Sequence, residues 1–401
     1  MAVTSQCCPR VESIDTDRVF SQALSKLRQR PISLRGLFSE DVLAVVVPFT
    51  TSRLLILSVL MLAPMVFTRG WFWVPGGLLA RLTQWDSVYY LHIARHGYFY
   101  TAADRGTVGF FPFFSMLVRL AAFVFHDYRL AAVVVANACL LIAGFLLHRL
   151  VRFDFADRRI ADAAVTFVMF SPVSFFFSTA YSEATFLMLA AGAFLAALRG
   201  RWLAAGLCGM CLAATRNVGF FMAVPLGLEY LRQNWDARRP FAVFFKPQVL
   251  SLALVPLGLA LFMLYCYVKS HDAFAYTHAS AGWGRMLVSP LRTLSGAHFF
   301  PLFYRWLFLG AFAIAICLWC GGLLFKLRAT YLVWAALLIA TYISSNSLEA
   351  LPRYLSVVFP LFIVLAIITT RYSWSYIPVL GASVAALTLC TILLANGYWM
   401  T

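Results

Sequence analysis

Apolar stretches of roughly 20 residues recur along this chain from Val42 to its C-terminus, and nothing else in the sequence restricts the fold so tightly. A backbone that leaves water must satisfy every amide internally. A helix of about 20 apolar residues does so while crossing a ~30 Å hydrocarbon core. With 62% hydrophobic and 12% charged residues, a soluble fold would need a very large apolar core and almost no polar shell. The expected fold class is an all-α integral membrane protein that crosses the bilayer many times.

Charge orients those crossings. The net charge of +16 would suit a nucleic-acid partner, but its location points elsewhere. Arg149, Arg152, Arg158 and Arg159 form one cluster, Arg199 and Arg201 a second, and Arg232, Arg238, Arg239 and Lys246 a third, each between apolar stretches. Short loops rich in Lys and Arg mark the cytoplasmic side and face anionic membrane lipid. Residues 1–40 read as a basic cytoplasmic arm without a cleavable signal, and about 42–67 as an uncleaved anchor. Residues 41–401 then form a single polytopic domain with external loops at about 69–110 and 270–303.

The stretch 110–125 decides the count, being short and carrying Pro112 and Arg119. If it crossed, every later basic cluster would fall outside; if it is re-entrant or interfacial, all of them fall inside. The second reading gives further spans at about 128–149, 162–179, 183–199, 202–215, 218–231, 249–269, 304–325, 330–347, 354–371 and 376–397. Together with the first, these make about eleven transmembrane helices and an external C-terminus. The pieces at 202–215 and 218–231 are short enough to be half-helices meeting near Arg216-Asn217. Cys139, Cys208, Cys211, Cys317, Cys320 and Cys390 lie in apolar runs and read as small core residues.

Polar residues on the external side are few, and the topology brings five groups of them to one face. These are Gln84-Trp85-Asp86-Ser87 with His92, Arg95 and His96; Ser171-Pro172 with Ser178 to Glu183; Thr215-Arg216-Asn217; Trp283-Gly284-Arg285; and Glu349 with Pro352-Arg353-Tyr354. Asp86 can serve as a general base towards a sugar hydroxyl, or can simply cap a helix. Glu183 carries the same two alternatives. Arg216, Arg285 and Arg353 stand at span ends, where a planar guanidinium can hold a phosphate; each can equally snorkel or pair with Asp86 or Glu349. His92 and His96 are four residues apart and can share a helix face, as substrate contacts more readily than as metal ligands.

Four segments resemble the GPI mannosyltransferases that add the second mannose, together with their bacterial relatives. Trp85-Asp86 through Ile93-Ala94-Arg95-His96-Gly97-Tyr98 to Phe110-Phe111-Pro112 is similar to that family's W-D…I-A-x-H-G-Y…F-F-P block. Ser171-Pro172 with Ala180-Tyr181-Ser182-Glu183-Ala184 resembles its S-P…A-x-Y-S-E-A, and Arg216-Asn217 and Arg353-Tyr354 match shorter motifs. Ala281-Gly282-Trp283-Gly284-Arg285 looks more like the bacterial members. The resemblance implies a multispan GT-C glycosyltransferase that inverts the sugar and uses no metal or other cofactor.

It also implies a donor, polyprenyl- or dolichyl-phosphate mannose, and an acceptor that is a lipid-linked glycan, either a GPI precursor or a bacterial equivalent. Asp86 becomes the catalytic base. Trp85, His92, His96, Glu183, Arg216, Asn217, Arg285, Arg353 and Tyr354 become substrate-binding residues. The setting would be the endoplasmic reticulum membrane in a eukaryote or the cytoplasmic membrane in a bacterium, with room for a small membrane subunit. A transporter or lipid flippase, or a non-catalytic subunit of a glycosylation complex, are the competing classes.

Overall fold

The computed structural model describes residues 40–398 and 400, apart from 72, 74, 100–105, 237–242, 244–245 and 283–284. The basic arm at 1–39 therefore lies outside the described residues, as do Arg238, Arg239, Trp283 and Gly284. Among the described residues the chain is helical, with one isolated antiparallel bridge between Leu287 and Ser345. Helices α1 (Glu40–Val66), α2 (Ser87–His96), α3 (Pro112–Phe125), α4 (Tyr128–Asp154) and α5 (Arg158–Met169) lead to an irregular hairpin at 170–182. There follow α6 (Glu183–Leu198), α7 (Trp202–Ala213), α8 (Ala223–Asn234), α9 (Leu250–Ser270) and α10 (Leu302–Leu324). The last are α11 (Ala329–Ile343), a short α12 (Leu351–Leu355), α13 (Phe359–Arg371) and α14 (Tyr376–Ala395).

Among the described residues, five helices are long and apolar enough to cross a membrane: α1, α4 and α10, with α9 and α14 counted from the 3₁₀ turns that lead into them. Five shorter apolar helices, α3, α6, α7, α11 and α13, complete a multi-pass membrane protein. α6 is apolar all round and almost wholly buried, which only a helix surrounded by others can be. Phe186 and Phe194 on α6 pack against Trp334 and Tyr331 of α11 and Phe359 of α13. Glu183, the first residue of this central helix, is thereby held at the end of the best-packed element. At the other end of the molecule, Asp157 caps α5 by accepting from the Arg159 amide.

α3 has 14 residues, about 21 Å of helix, too short for a ~30 Å core. Its buried Phe114, Val118 and Ala122 cluster with Ala131, Ala132 and Ala136 near the start of α4, and Arg119 Nε donates to the Ala94 carbonyl at 2.7 Å. The Gly70 amide donates to the Asn396 carbonyl at 2.7 Å, so the C-terminal ends of α1 and α14 share one face.

Three details differ from the sequence reading or refine it. The stretch at 162–179 is not one helix: α5 ends at Met169 and only a 3₁₀ turn at Ser174–Phe177 follows. Pro172 explains part of this, since the residue before a proline avoids helical backbone. The half-helices at Arg216-Asn217 are present, with Arg216 extended (φ −154°) between α7 and the 3₁₀ turn at Asn217–Met222. A side chain at Gly219 would meet the Leu212 carbonyl at 2.2 Å, so only glycine lets the turn fold back on α7. Finally, Cys139 and Cys390 are buried as expected, but Cys317 and Cys320 are exposed on α10.

Candidate functional site

The site begins with a strained turn. Trp85 has φ 54°, a left-handed conformation that costs a large side chain roughly 1–3 kcal/mol. The turn delivers Asp86 to the N-cap of α2, an amphipathic helix that buries Tyr90, Ile93 and Ala94. Asp86 occupies the cap position, but its side chain makes no cap hydrogen bond. Its backbone amide instead donates to the Tyr181 hydroxyl at 3.2 Å, and that hydroxyl donates on to the Gln84 carbonyl at 3.3 Å. The 170–182 hairpin therefore sets where Asp86 sits.

The Asp86 carboxylate is free to bond elsewhere, and it accepts from Arg353 Nη1 at 2.7 Å. Arg353 is 4% exposed and Asp86 26%, so the arginine is sealed while the carboxylate keeps an open side. Arg353 Nε lies 3.3 Å from Glu183 Oε1, and Arg216 Nη1 donates to the same oxygen at 2.8 Å. Glu183 is 2% exposed and Arg216 13%. Burial works against the charge of Arg353, yet Asp86 and Glu183 hold it more firmly protonated than an ordinary arginine.

A chain of alternating charge, Asp86–Arg353–Glu183–Arg216, thus joins four distant segments. Tyr354 extends it, with its ring 4.5 Å from the Arg216 guanidinium and 5.0 Å from that of Arg353. Its hydroxyl accepts a hydrogen bond from Arg285 Nη1. Glu349 lies beyond; burial raises its pKa and the charge of Arg285 opposes that rise.

Neither acid behaves as a mere cap, and the ion-pair alternative for Arg353 is realised with Asp86. The structure brings Asp86, Glu183, Arg216, Arg285, Arg353 and Tyr354 together, with Trp85 beside them in the chain. Asn217 is exposed, and its side chain accepts from the Val218 amide, a local turn contact. The His92 and His96 rings lie 5.1 Å apart, tilted by 48°, and His92 meets Phe99 edge to face at 5.0 Å. His96 borders a separate cavity of about 310 Å³ with Tyr98, Tyr265, Lys269 and Ser270. Among the described residues, no group of three His, Cys, Asp or Glu side chains is placed to hold a metal.

Several residues at the site carry no role assigned from the sequence, Tyr181 among them although it lies in a motif given above. Tyr181 and Tyr90 flank it, the Tyr90 hydroxyl lying 2.9 Å from Ser182 Oγ. Buried Arg53, halfway along α1, donates to the Met169 and Ser174 carbonyls and to Ser178 Oγ at 2.8–3.0 Å, which holds the hairpin in place. The site also contains buried polar atoms with no hydrogen-bond partner: Ser87 Oγ, Gln84 Oε1, Glu183 Oε2, Arg353 Nε and the Tyr342 hydroxyl. Native interiors leave few such atoms, and each one calls for an explanation by strain, ordered water, an ion or a ligand.

The family profile of the mannosyltransferases (PIG-V) matches residues 42–373. The chain is 30% identical over 215 residues to the mouse protein named GPI alpha-1,6-mannosyltransferase 2, covering 48% of this chain and 42% of that one. It is 28% identical over 199 residues to GPI mannosyltransferase 2 of Chaetomium globosum, 41% of this chain and 42% of the relative. The matched region thus spans less than half the length of either relative. Among solved structures, ArnT from Cupriavidus metallidurans bound to undecaprenyl phosphate superposes with TM-score 0.54 at 14% identity, covering 89% of this chain and 76% of that one. The fold is that of the multispan GT-C glycosyltransferases.

Proposed function

The chain belongs to the mannosyltransferase (PIG-V) family, and from that premise we propose that it is an inverting mannosyltransferase using a polyprenyl- or dolichyl-phosphate mannose donor. The observation that carries this reading is the ion-pair chain running from a half-open carboxylate, Asp86, to buried arginines. The guanidiniums of Arg216, Arg285 and Arg353 stand among the carboxylates of Asp86, Glu183 and Glu349, so the site is balanced and a donor phosphate binds by taking the place of a carboxylate against an arginine.

In the proposed reaction, the donor phosphate draws Arg353 away from Asp86 and frees the carboxylate. Asp86 then takes the proton of an acceptor hydroxyl, and the oxygen attacks the anomeric carbon from the face opposite the phosphate. The bond from that carbon to the phosphate oxygen breaks, and the electron pair leaves on polyprenyl phosphate. Arg353, Arg216 and Arg285 stabilise the developing charge, the kind of preorganised electrostatics that supplies the largest catalytic gain. The acceptor is a lipid-linked glycan on the external face, a GPI precursor or its bacterial equivalent. The basic arm and the loops at Arg149–Arg159, Arg199–Arg201 and Arg232–Lys246 face the cytoplasm in this arrangement.

Asp86→Asn tests the reading. The amide keeps the shape and the helix position but cannot take a proton. Transfer of radiolabelled mannose from a short-chain polyprenyl-phosphate mannose to a membrane lipid extract should fall by about 10²–10⁴. Donor binding should persist. Full transfer by this variant would remove Asp86 from the chemistry.

A further inference from the structure

Two of the atoms without partners, Glu183 Oε2 and the Tyr342 hydroxyl, belong to side chains that are nine-tenths or more buried. Tyr342 lies at the end of α11, with its ring 4.8 Å from that of Tyr354 and tilted by 33°. It shares the electrostatic surroundings of Arg216, Glu183 and Arg353. Leaving a buried hydroxyl unpaired costs stability, and phenylalanine would fill the same space without that cost. The chemistry of the two atoms narrows what completes them. A carboxylate oxygen only accepts, and a phosphodiester has no proton to offer it. A sugar hydroxyl donates to a carboxylate and accepts from, or donates to, a phenol.

We propose that Glu183 Oε2 and the Tyr342 hydroxyl form a subsite that binds hydroxyl groups of the transferred hexose, which makes Tyr342 a specificity-determining residue. The inference rests on the sugar-donor reading above. Arg216 occupies the other oxygen of Glu183 and retains 13% exposure, the larger share in that pair. When the donor phosphate draws this guanidinium away, Glu183 loses its 2.8 Å hydrogen bond and keeps the 3.3 Å contact with Arg353, and a sugar hydroxyl on Oε2 makes up the loss. Phosphate binding and sugar recognition are thereby linked through one carboxylate.

The experiment uses wild type and Tyr342→Phe in lipid nanodiscs. It measures affinity for short-chain polyprenyl-phosphate mannose, its 2-, 3-, 4- and 6-deoxy analogues, and sugar-free polyprenyl phosphate. The variant should unfold at the same or a higher temperature and bind the intact donor about three- to tenfold more weakly. Sugar-free polyprenyl phosphate should bind both proteins equally. One deoxy analogue should bind more weakly than the intact donor to wild type, yet as well as the intact donor to the variant. An equal loss with sugar-free phosphate would assign the hydroxyl to the phosphate and overturn the subsite, and so would unchanged affinity for every ligand. A lower unfolding temperature with unchanged affinities would make the hydroxyl structural. Wild-type protein that binds sugar-free and mannosylated lipid equally, with no deoxy analogue weakened, overturns the subsite while the transferase reading stands. Wild-type protein that binds neither lipid overturns the donor reading first.

Discussion

Among the described residues, two buried ionic clusters stand out, and their bonding is opposite in kind. In the first, Asp86, Glu183, Arg216 and Arg353 leave Glu183 Oε2 and Arg353 Nε without hydrogen-bond partners. In the second, Asp154 accepts from Arg328 Nε at 3.2 Å and from the Tyr331 hydroxyl at 2.7 Å. Glu229, fully buried, accepts from Arg232 at 2.6 Å and Gln233 at 2.7 Å and lies 3.5 Å from Arg328. Among the described residues, no buried carboxylate or guanidinium atom of that second cluster lacks a hydrogen-bond partner. It ties the end of α4 to the start of α11 and the end of α8. Buried charge alone therefore does not identify a site; unfinished bonding does. On this reading the saturated cluster is a fastener, and the unsaturated one is the candidate ligand site proposed above.

Exchanging the central arginine in each cluster for methionine should separate the two roles most sharply. Arg328→Met strands Asp154 and Glu229 in the interior, and removing one partner of a buried pair costs about 3–5 kcal/mol. Its unfolding temperature should drop steeply, while transfer per folded molecule stays near wild type. Arg353→Met leaves Glu183 paired with Arg216 and Asp86 with an open side, so the stability loss should be smaller. Transfer should fall by about 10²–10³, the usual effect of removing one preorganised charge partner. A reversed outcome, with Arg353→Met unfolding and Arg328→Met inactive but stable, would break the distinction.

Arg53 offers an intermediate test. Its Nε, Nη1 and Nη2 all donate, to Ser52, Ser174, Ser178 and Met169. By the bonding criterion it is a fastener, although it lies close to the site. Arg53→Lys keeps the charge and loses the fork. It should cost roughly 1–3 kcal/mol in unfolding free energy, the penalty for leaving buried carbonyls short of donors. Donor affinity per folded molecule should stay within about twofold of wild type. A variant with normal stability and weak donor binding would move Arg53 to the other class.

What the sequence disclosed follows the same division. Asp86, Glu183, Arg216, Arg285 and Arg353 were legible because charged residues at the ends of apolar stretches are rare and costly. Tyr342 and Tyr90 were not, since an aromatic in an apolar run looks like core; Tyr181 stood in a motif beside Glu183, but the partner of its hydroxyl shows only in the fold. Arg53 was hidden inside the stretch that reads as an anchor. The irregular hairpin at 170–182 was hidden too, because hydropathy reports burial and not backbone conformation. Only Ser171-Pro172 marked where α5 stops.

The smallest effect concerns Glu349, at the edge of the unsaturated cluster. Burial raises its pKa above the usual carboxylate value of 4.5, and Arg285 only partly offsets this. A raised folded-state pKa means the folded protein holds the proton more tightly than the unfolded chain. The group's contribution to stability is therefore complete below about 4.5 and is lost as pH rises through the folded value. At pH 7 the ionised side chain is a mild liability. Glu349→Gln should stabilise the protein at pH 7 by under about 1 kcal/mol, within the range of a partly exposed charge. The gain should shrink towards zero at pH 4. Thermal unfolding of both proteins between pH 4 and 8 tests this. A glutamine variant that is less stable at pH 7 would show that Glu349 is already satisfied by Arg285, and the saturated region would then extend to the edge of the site.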